Sequence, residues 1–227
     1  MLKTFISQSS AKEKPMKKIS PDILKKWLTA WSLSRELPLP IAFKSGFKVE
    51  VGDTKQKERY VFPELNEDFI QLSNTINEPW IFLKACASPE EIRSHVSEKW
   101  TLQPQGYMMA CSEPMVFPNR HLDTEYHLEF DNYNSTFVVR ILTQNNEEAA
   151  IGRVVLVDDI VVYDRIITDS NHRRKGLATI IIRELEKIAI SKNSTKNLLV
   201  ATEEGKQLYQ SLGWEVYSLY TSIVIVS

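Results

Sequence analysis

The stretch IVVYDRIITDSNHRRKGLATIIIRELEKIA, Ile160 to Ala189, limits the folds open to this chain more than any other. A β-branched run leads into a short polar turn, and the turn opens an amphipathic helix. Leu177, Ile181, Leu185 and Ile188 line one side of that helix, with Arg183, Glu184, Glu186 and Lys187 on the other. A strand feeding such a helix calls for a sheet on which the apolar side can lie. The turn itself is unusual. Helix starts favour acidic residues, because the first backbone N–H groups are unpaired and the dipole is positive there. Here Arg173, Arg174 and Lys175 precede a lone Gly176. Either these are loop cations, or an anion is held there by free amides and basic side chains together.

Upstream of this stretch, YMMAC, YHLEF, TFVVRIL and AAIGRVVLV succeed one another from about Gly106, separated by turn signals such as DNYN, TQNNEE and VDD. Connections this short predict antiparallel neighbours. Downstream, NLLVA reads as a further strand and Thr202 as the cap of a short helix ended by Gly213. WEVYSLYTSIVIV reads as two closing strand-like segments. The first half has a different texture. Ser20 and Pro21 open a helix with Ile23, Leu24, Trp27, Leu28 and Trp31 on one face. FKVEV, RYVF and WIFLKAC read as strands, NEDFIQLSNTI as a helix capped by Asn66, and SPEEIRSHVSEKW as a helix opened by a capping box, Ser88 with Glu91. The expected organisation is a polar tail over residues 1–18, a small α/β domain over 19–105, and an α+β domain over 106–227.

Composition removes several classes. A net charge of -1 gives no global field toward nucleic acid or acidic membranes. No apolar run approaches the length of a membrane span, and the start of the chain lacks the apolar core of a signal peptide. Cys86 and Cys111 form no CxxC pair, which suits a reducing, cytoplasmic setting. His121, Asp123, Glu125 and His127 lack metal-site spacing, so no metal is expected, and no GxSxG elbow is present.

The basic turn is neither a Walker loop nor a dinucleotide fingerprint. It matches [RQ]-x-x-G-x-[GA] as Arg173-Arg174-Lys175-Gly176-Leu177-Ala178. Together with LVATEEGKQLYQSLGW further on, it makes the chain from about Tyr126 to the C-terminus resemble a GNAT-superfamily N-acetyltransferase. The resemblance implies an α+β fold, a mixed and mostly antiparallel sheet flanked by helices. It also implies acetyl-coenzyme A as co-substrate, with the acetyl group passing directly to an amine in a ternary complex. Amides from Arg174 through Thr179, with Arg173, would then hold the pyrophosphate. Backbone groups of the strand at Ile166, Ile167 and Thr168 would meet the pantetheine arm, provided the neighbouring strand splays away.

Acetyl transfer to an amine needs a neutral amine, a polarised carbonyl and a proton for the departing thiolate. Tyr209 matches the family tyrosine that serves the sulfur. Asp164 is the candidate base, two residues beyond Val162, where some relatives carry glutamate; the alternative for Asp164 is a structural ion pair. Glu203 and Glu204 stand in reserve, although acidic residues at a helix start need no further reason. The acceptor is a small-molecule or peptide amine of unspecified identity, with no nucleic acid or membrane partner expected and a dimer among the oligomeric states open to it. The competing reading is a non-catalytic acyl-coenzyme A-binding or sensing module.

Overall fold

The computed structural model describes residues 18–192 and 196–226. The tail expected over residues 1–18 lies outside them, apart from Lys18. Helix α1 (Pro21–Leu33) is capped by Ser20, whose side chain accepts from the Ile23 N–H. It is followed by β1 (Ile41–Phe43), β2 (Gly46–Asp53), β3 (Gln56–Phe62), α2 (Glu67–Thr75), β4 (Ile81–Ala85), α3 (Pro89–Arg93), β5 (Thr101–Leu102) and β6 (Gly106–Cys111). The remainder is β7 (Tyr126–Tyr133), β8 (Thr136–Thr143), β9 (Glu148–Val157), β10 (Ile160–Thr168), α4 (Leu177–Ser191), β11 (Lys196–Ala201), α5 (Glu203–Ser211) and β12 (Glu215–Val224).

All twelve strands join one mixed, mainly antiparallel sheet in the order β1-β2-β3-β4-β12-β6-β11-β10-β9-β8-β7, with β5 beside β12. The α+β class read from the sequence is therefore the observed one. Helix α1 covers one face of the sheet. Trp27, Leu28 and Trp31 pack there with Val155, Ile160, Val162, Leu198 and Tyr220. Alternate residues of the same strands, Val154, Val161 and Tyr163, face α4 on the opposite side. Phe62, Leu83 and Ala85 bury Phe69 of α2 and Ile92 of α3 on that second side too.

The strand order holds an internal repeat that the sequence does not announce. β3 pairs in parallel with β4 across α2, and β10 pairs in parallel with β11 across α4. In each half the second parallel strand is followed by a short helix and a further strand: α3 and β5, then α5 and β12. With β6 counted alongside β5, which it follows directly in the chain, the strand between them comes from the other half. β12 inserts between β4 and β5, while β6 inserts between β11 and β12. The two halves thus exchange strands within one sheet.

Three element readings need correction. The helix opened by the Ser88–Glu91 capping box ends at Arg93 with Ser94 as its cap, and Trp100 beyond it reaches back to donate its indole N–H to the Ser73 carbonyl at 3.0 Å. The closing segments are one ten-residue strand, β12, bent by a register shift between Val216 and Ser218 rather than broken. The run from Gly106 is not a single meander either: β7 to β10 are antiparallel neighbours, but β6 lies across the sheet between β11 and β12.

Candidate acyl-transfer site

β10 and β11 begin as partners and then part. Ile160, Val161 and Val162 pair with Lys196, Asn197 and Leu198, after which β10 keeps its pairing with β9 while β11 continues to Ala201 without it. A bulge between Asp164 and Ile167 marks the parting, with Arg165 in the left-handed region at φ 52°. The inserted residue changes the strand's parity. Asp164 remains on the α1 face, whereas Ile166, two residues later, packs into the core beneath α4.

A cleft of about 590 Å³ opens in the fork. Ile166, Ile167 and Thr168 form one wall, Arg173, Arg174 and Gly176 through Thr179 the floor at the start of α4. Thr202, Gly205 and Leu208 close it from α5. Nine of the ten residues expected to hold a cofactor therefore line one cleft. Lys175 does not; its amine donates to the Tyr126 hydroxyl at 2.7 Å and pairs with Glu125 at 3.0 Å.

The start of α4 differs from the other helix starts. Ser20, Asn66, Ser88 and Thr202 each place a side-chain oxygen on a first-turn amide of α1, α2, α3 and α5. Gly176 precedes α4 with no side-chain cap, no acidic residue follows in the first turn, and Arg173 and Arg174 stand beside the open amides. Arg174 and Gly176 both adopt positive φ, 64° and 79°, a succession that folds amides inward into an anion-binding hollow. A Cβ at Gly176 would meet the Arg120 guanidinium at 2.6 Å. Arg120 is thus a further cation at the hollow, and nothing local in PNRHLD marks it. Donor chemistry and shape both fit a pyrophosphate.

Tyr209 lies one residue beyond Leu208, packed edge-on against Trp214, which also meets Tyr163 edge-on. Burial, and secondarily the charge of Asp164, push its phenol well above the usual value. Asp164 is occupied: it accepts from the Ser34 hydroxyl and from both ends of the Arg35 guanidinium, Nη2 lying 3.2 Å from Oδ1. Val162, on the same face, is fully buried under α1. Glu203 accepts from the Tyr107 hydroxyl and pairs with Lys206 at 2.7 Å, while Glu204 lines the cleft. Among the described residues no cluster of three or more metal-ligating side chains occurs, and no helix is long and apolar enough to cross a membrane.

A strand fork with an uncapped, arginine-flanked helix start at its mouth sits here within a GNAT-like fold. The family model of the acetyltransferase (GNAT) domain matches residues 134–216. Solved structures share the fold over nearly the whole chain at low identity. A GCN5-related N-acetyltransferase from Kribbella flavida superposes with a TM-score of 0.66 at 13% identity, covering 92% of this chain and 96% of that one. A second from Sphaerobacter thermophilus gives 0.56 at 8%, covering 93% and 95%. A tandem GNAT protein from the clavulanic acid biosynthesis pathway gives 0.56 at 10%, covering 92% and 96%. No curated protein matches the sequence.

Proposed function

We propose that the protein is an N-acetyltransferase that moves an acetyl group from acetyl-coenzyme A directly to a primary amine. The observation that carries this reading is the open helix start of α4 at the mouth of the β10–β11 fork. In this reading the amides of Gly176 through Thr179, with Arg173 and Arg174, hold the pyrophosphate. The backbone of Ile166 to Thr168, freed from β11, offers groups to the pantetheine arm. The co-substrate would supply an activated thioester.

Tyr209 keeps its proton throughout the neutral range. A thiol has an ordinary pKa of about 8.5, below that of a phenol near 10, and burial widens the gap. Complete transfer of the Tyr209 proton to a thiolate is therefore uphill. Its contribution is a fixed hydrogen bond donated where negative charge develops on sulfur. Asp164, tied to Arg35 and Ser34, serves better to orient an incoming ammonium than to remove its proton. Proton loss then falls to water. The two unbridged cysteines, Cys86 and Cys111, support a cytoplasmic setting.

A second reading, a non-catalytic acyl-coenzyme A-binding module, draws on the same engagement of Asp164. Calorimetric titration with acetyl-coenzyme A and coenzyme A tests the cradle, and absence of binding to both would sink either reading. Tyr209→Phe then divides them, since a binder has no turnover for that change to lower.

A further inference from the structure

The α1 face of the sheet, on the other side of the fork from the cradle, carries cations that lack counter-charges. Arg59 on β3 is only 8% exposed and Lys84 on β4 only 7%. Neither forms an ion pair with a carboxylate among the described residues. The Arg59 guanidinium lies 3.6 Å from the centre of the Trp31 ring, and Arg35 lies 4.3 Å from it. With the Gln56 amide turned so that its oxygen faces Arg59, that oxygen accepts from Nη2 at 3.1 Å and from Nε at 3.0 Å. Lys84 donates to the Ser222 hydroxyl at 2.6 Å. The buried Tyr220 hydroxyl nearby has no hydrogen-bond partner. Burial, reinforced by the charge of Arg59, holds the Lys84 amine well below the usual lysine range. Arg35 pairs with Asp164 and Arg59 feels the same carboxylate, while Arg153 and Arg165 add positive charge around Arg35.

A buried guanidinium without an anion is costly, and it cannot shed its charge as a lysine can. Stacking on Trp31 and the Gln56 oxygen offset part of that cost without supplying negative charge. This surplus begins at Asp164, where β10 leaves β11, and runs through Arg35 and Trp31 to Arg59. Resting on the acetyltransferase reading, we propose that the acceptor is a primary amine bearing a carboxylate, its ammonium end at Asp164 and its carboxylate toward Arg35 and Arg59. Polyamines and aminoglycosides are disfavoured by the same charges. A guanidinium recognises a carboxylate through two parallel hydrogen bonds, so the site selects for shape as well as sign.

The test compares amino acids with their own methyl esters as acceptors for the full-length protein, following thiol release from acetyl-coenzyme A. Each pair shares its side chain and differs in the anion. The free acids are expected to give a kcat/KM at least ~10-fold above their esters, with Arg59→Met bringing the ratio toward one through KM while coenzyme A affinity stays within about twofold. Esters or polyamines used as well as the acids, or no turnover of any acid by a protein that binds coenzyme A, would overturn the inference and leave the cofactor site intact. A protein that binds neither acetyl-coenzyme A nor coenzyme A would overturn the parent reading and this one together. Because the acid–ester comparison uses the unaltered chain, the result does not depend on an Arg59 variant folding.

Discussion

Gly176 shows how much a single residue decides at this site. Its φ of 79° strains any side chain, and a Cβ would displace Arg120 as well. Gly176→Val should weaken coenzyme A binding ~10-fold or more, since left-handed strain alone approaches the 1.4 kcal/mol that a factor of ten requires. Calorimetry on the folded variant checks this. Tyr209→Phe removes a donor without disturbing the aromatic packing, so kcat should fall ~100-fold with the KM for acetyl-coenzyme A nearly unchanged. The pH profile bears on the same residue. A phenol raised above its ordinary value stays protonated through the assay range, so the rate should climb with pH as the acceptor amine loses its proton, with no fall below about pH 9. An alkaline limb below that pH that vanishes in Tyr209→Phe would show the phenol titrating inside the assay range, against its raised value, whereas an unchanged kcat in Tyr209→Phe would remove the donor role. Gly176, Arg173 and Tyr209 were legible because each sits in a short pattern with a chemical reason for its spacing. Asp164 was legible only as a pair of alternatives, since its partner Arg35 lies far away in sequence. Arg59 and Lys84 gave no signal, because a basic residue on a strand reads as solvent-facing until the sheet's other face is covered.

Among the elements, α4 is the one whose placement matters most, and Gly152 on β9 sets its distance from the sheet. A Cβ there would come within 2.4 Å of Ile181 and 3.0 Å of Leu185. Gly152→Ala should cost ~1–3 kcal/mol of stability by thermal or denaturant unfolding, as overpacking does, and should weaken coenzyme A binding because the start of α4 shifts with the helix. The open amides of that start make a complementary prediction. Coenzyme A at a hundred times its Kd contributes about 2.7 kcal/mol, which for a chain of this length raises Tm by ~5–10 °C. A thermal scan with and without ligand reads it directly. Periodicity and caps made α1, α2, α4 and α5 legible. The length of α3 was not, since a capping box specifies where a helix begins and leaves its end open. β12 was misread for a related reason: a bulge looks, along the chain, like an interruption.

The strand exchange belongs to the whole molecule. Residues 106–227 contain the complete cofactor cleft, yet their sheet face is covered by Trp27, Leu28 and Trp31 of α1. β12 is held along its far end by β4 and β5. Expressed alone, that segment should be insoluble or expanded, and the intact chain should unfold in one cooperative transition; two separate transitions by calorimetry would show that the halves are independent domains. The boundary expected near residue 105 falls just before β6, because strand order is a long-range property and no local pattern reveals that this strand sits between β11 and β12. The borrowing also bears on how such a chain can change over time. At the position equivalent to α4, the first half opens α2 with Asn66, Glu67 and Asp68, a self-capped and acidic start with no use for an anion. That half has no cradle of its own, yet deleting it through Cys111 would strip the other of β6, the strand between β11 and β12. A half locked into the sheet in this way is an indispensable wall, free to drift in chemistry but not to leave.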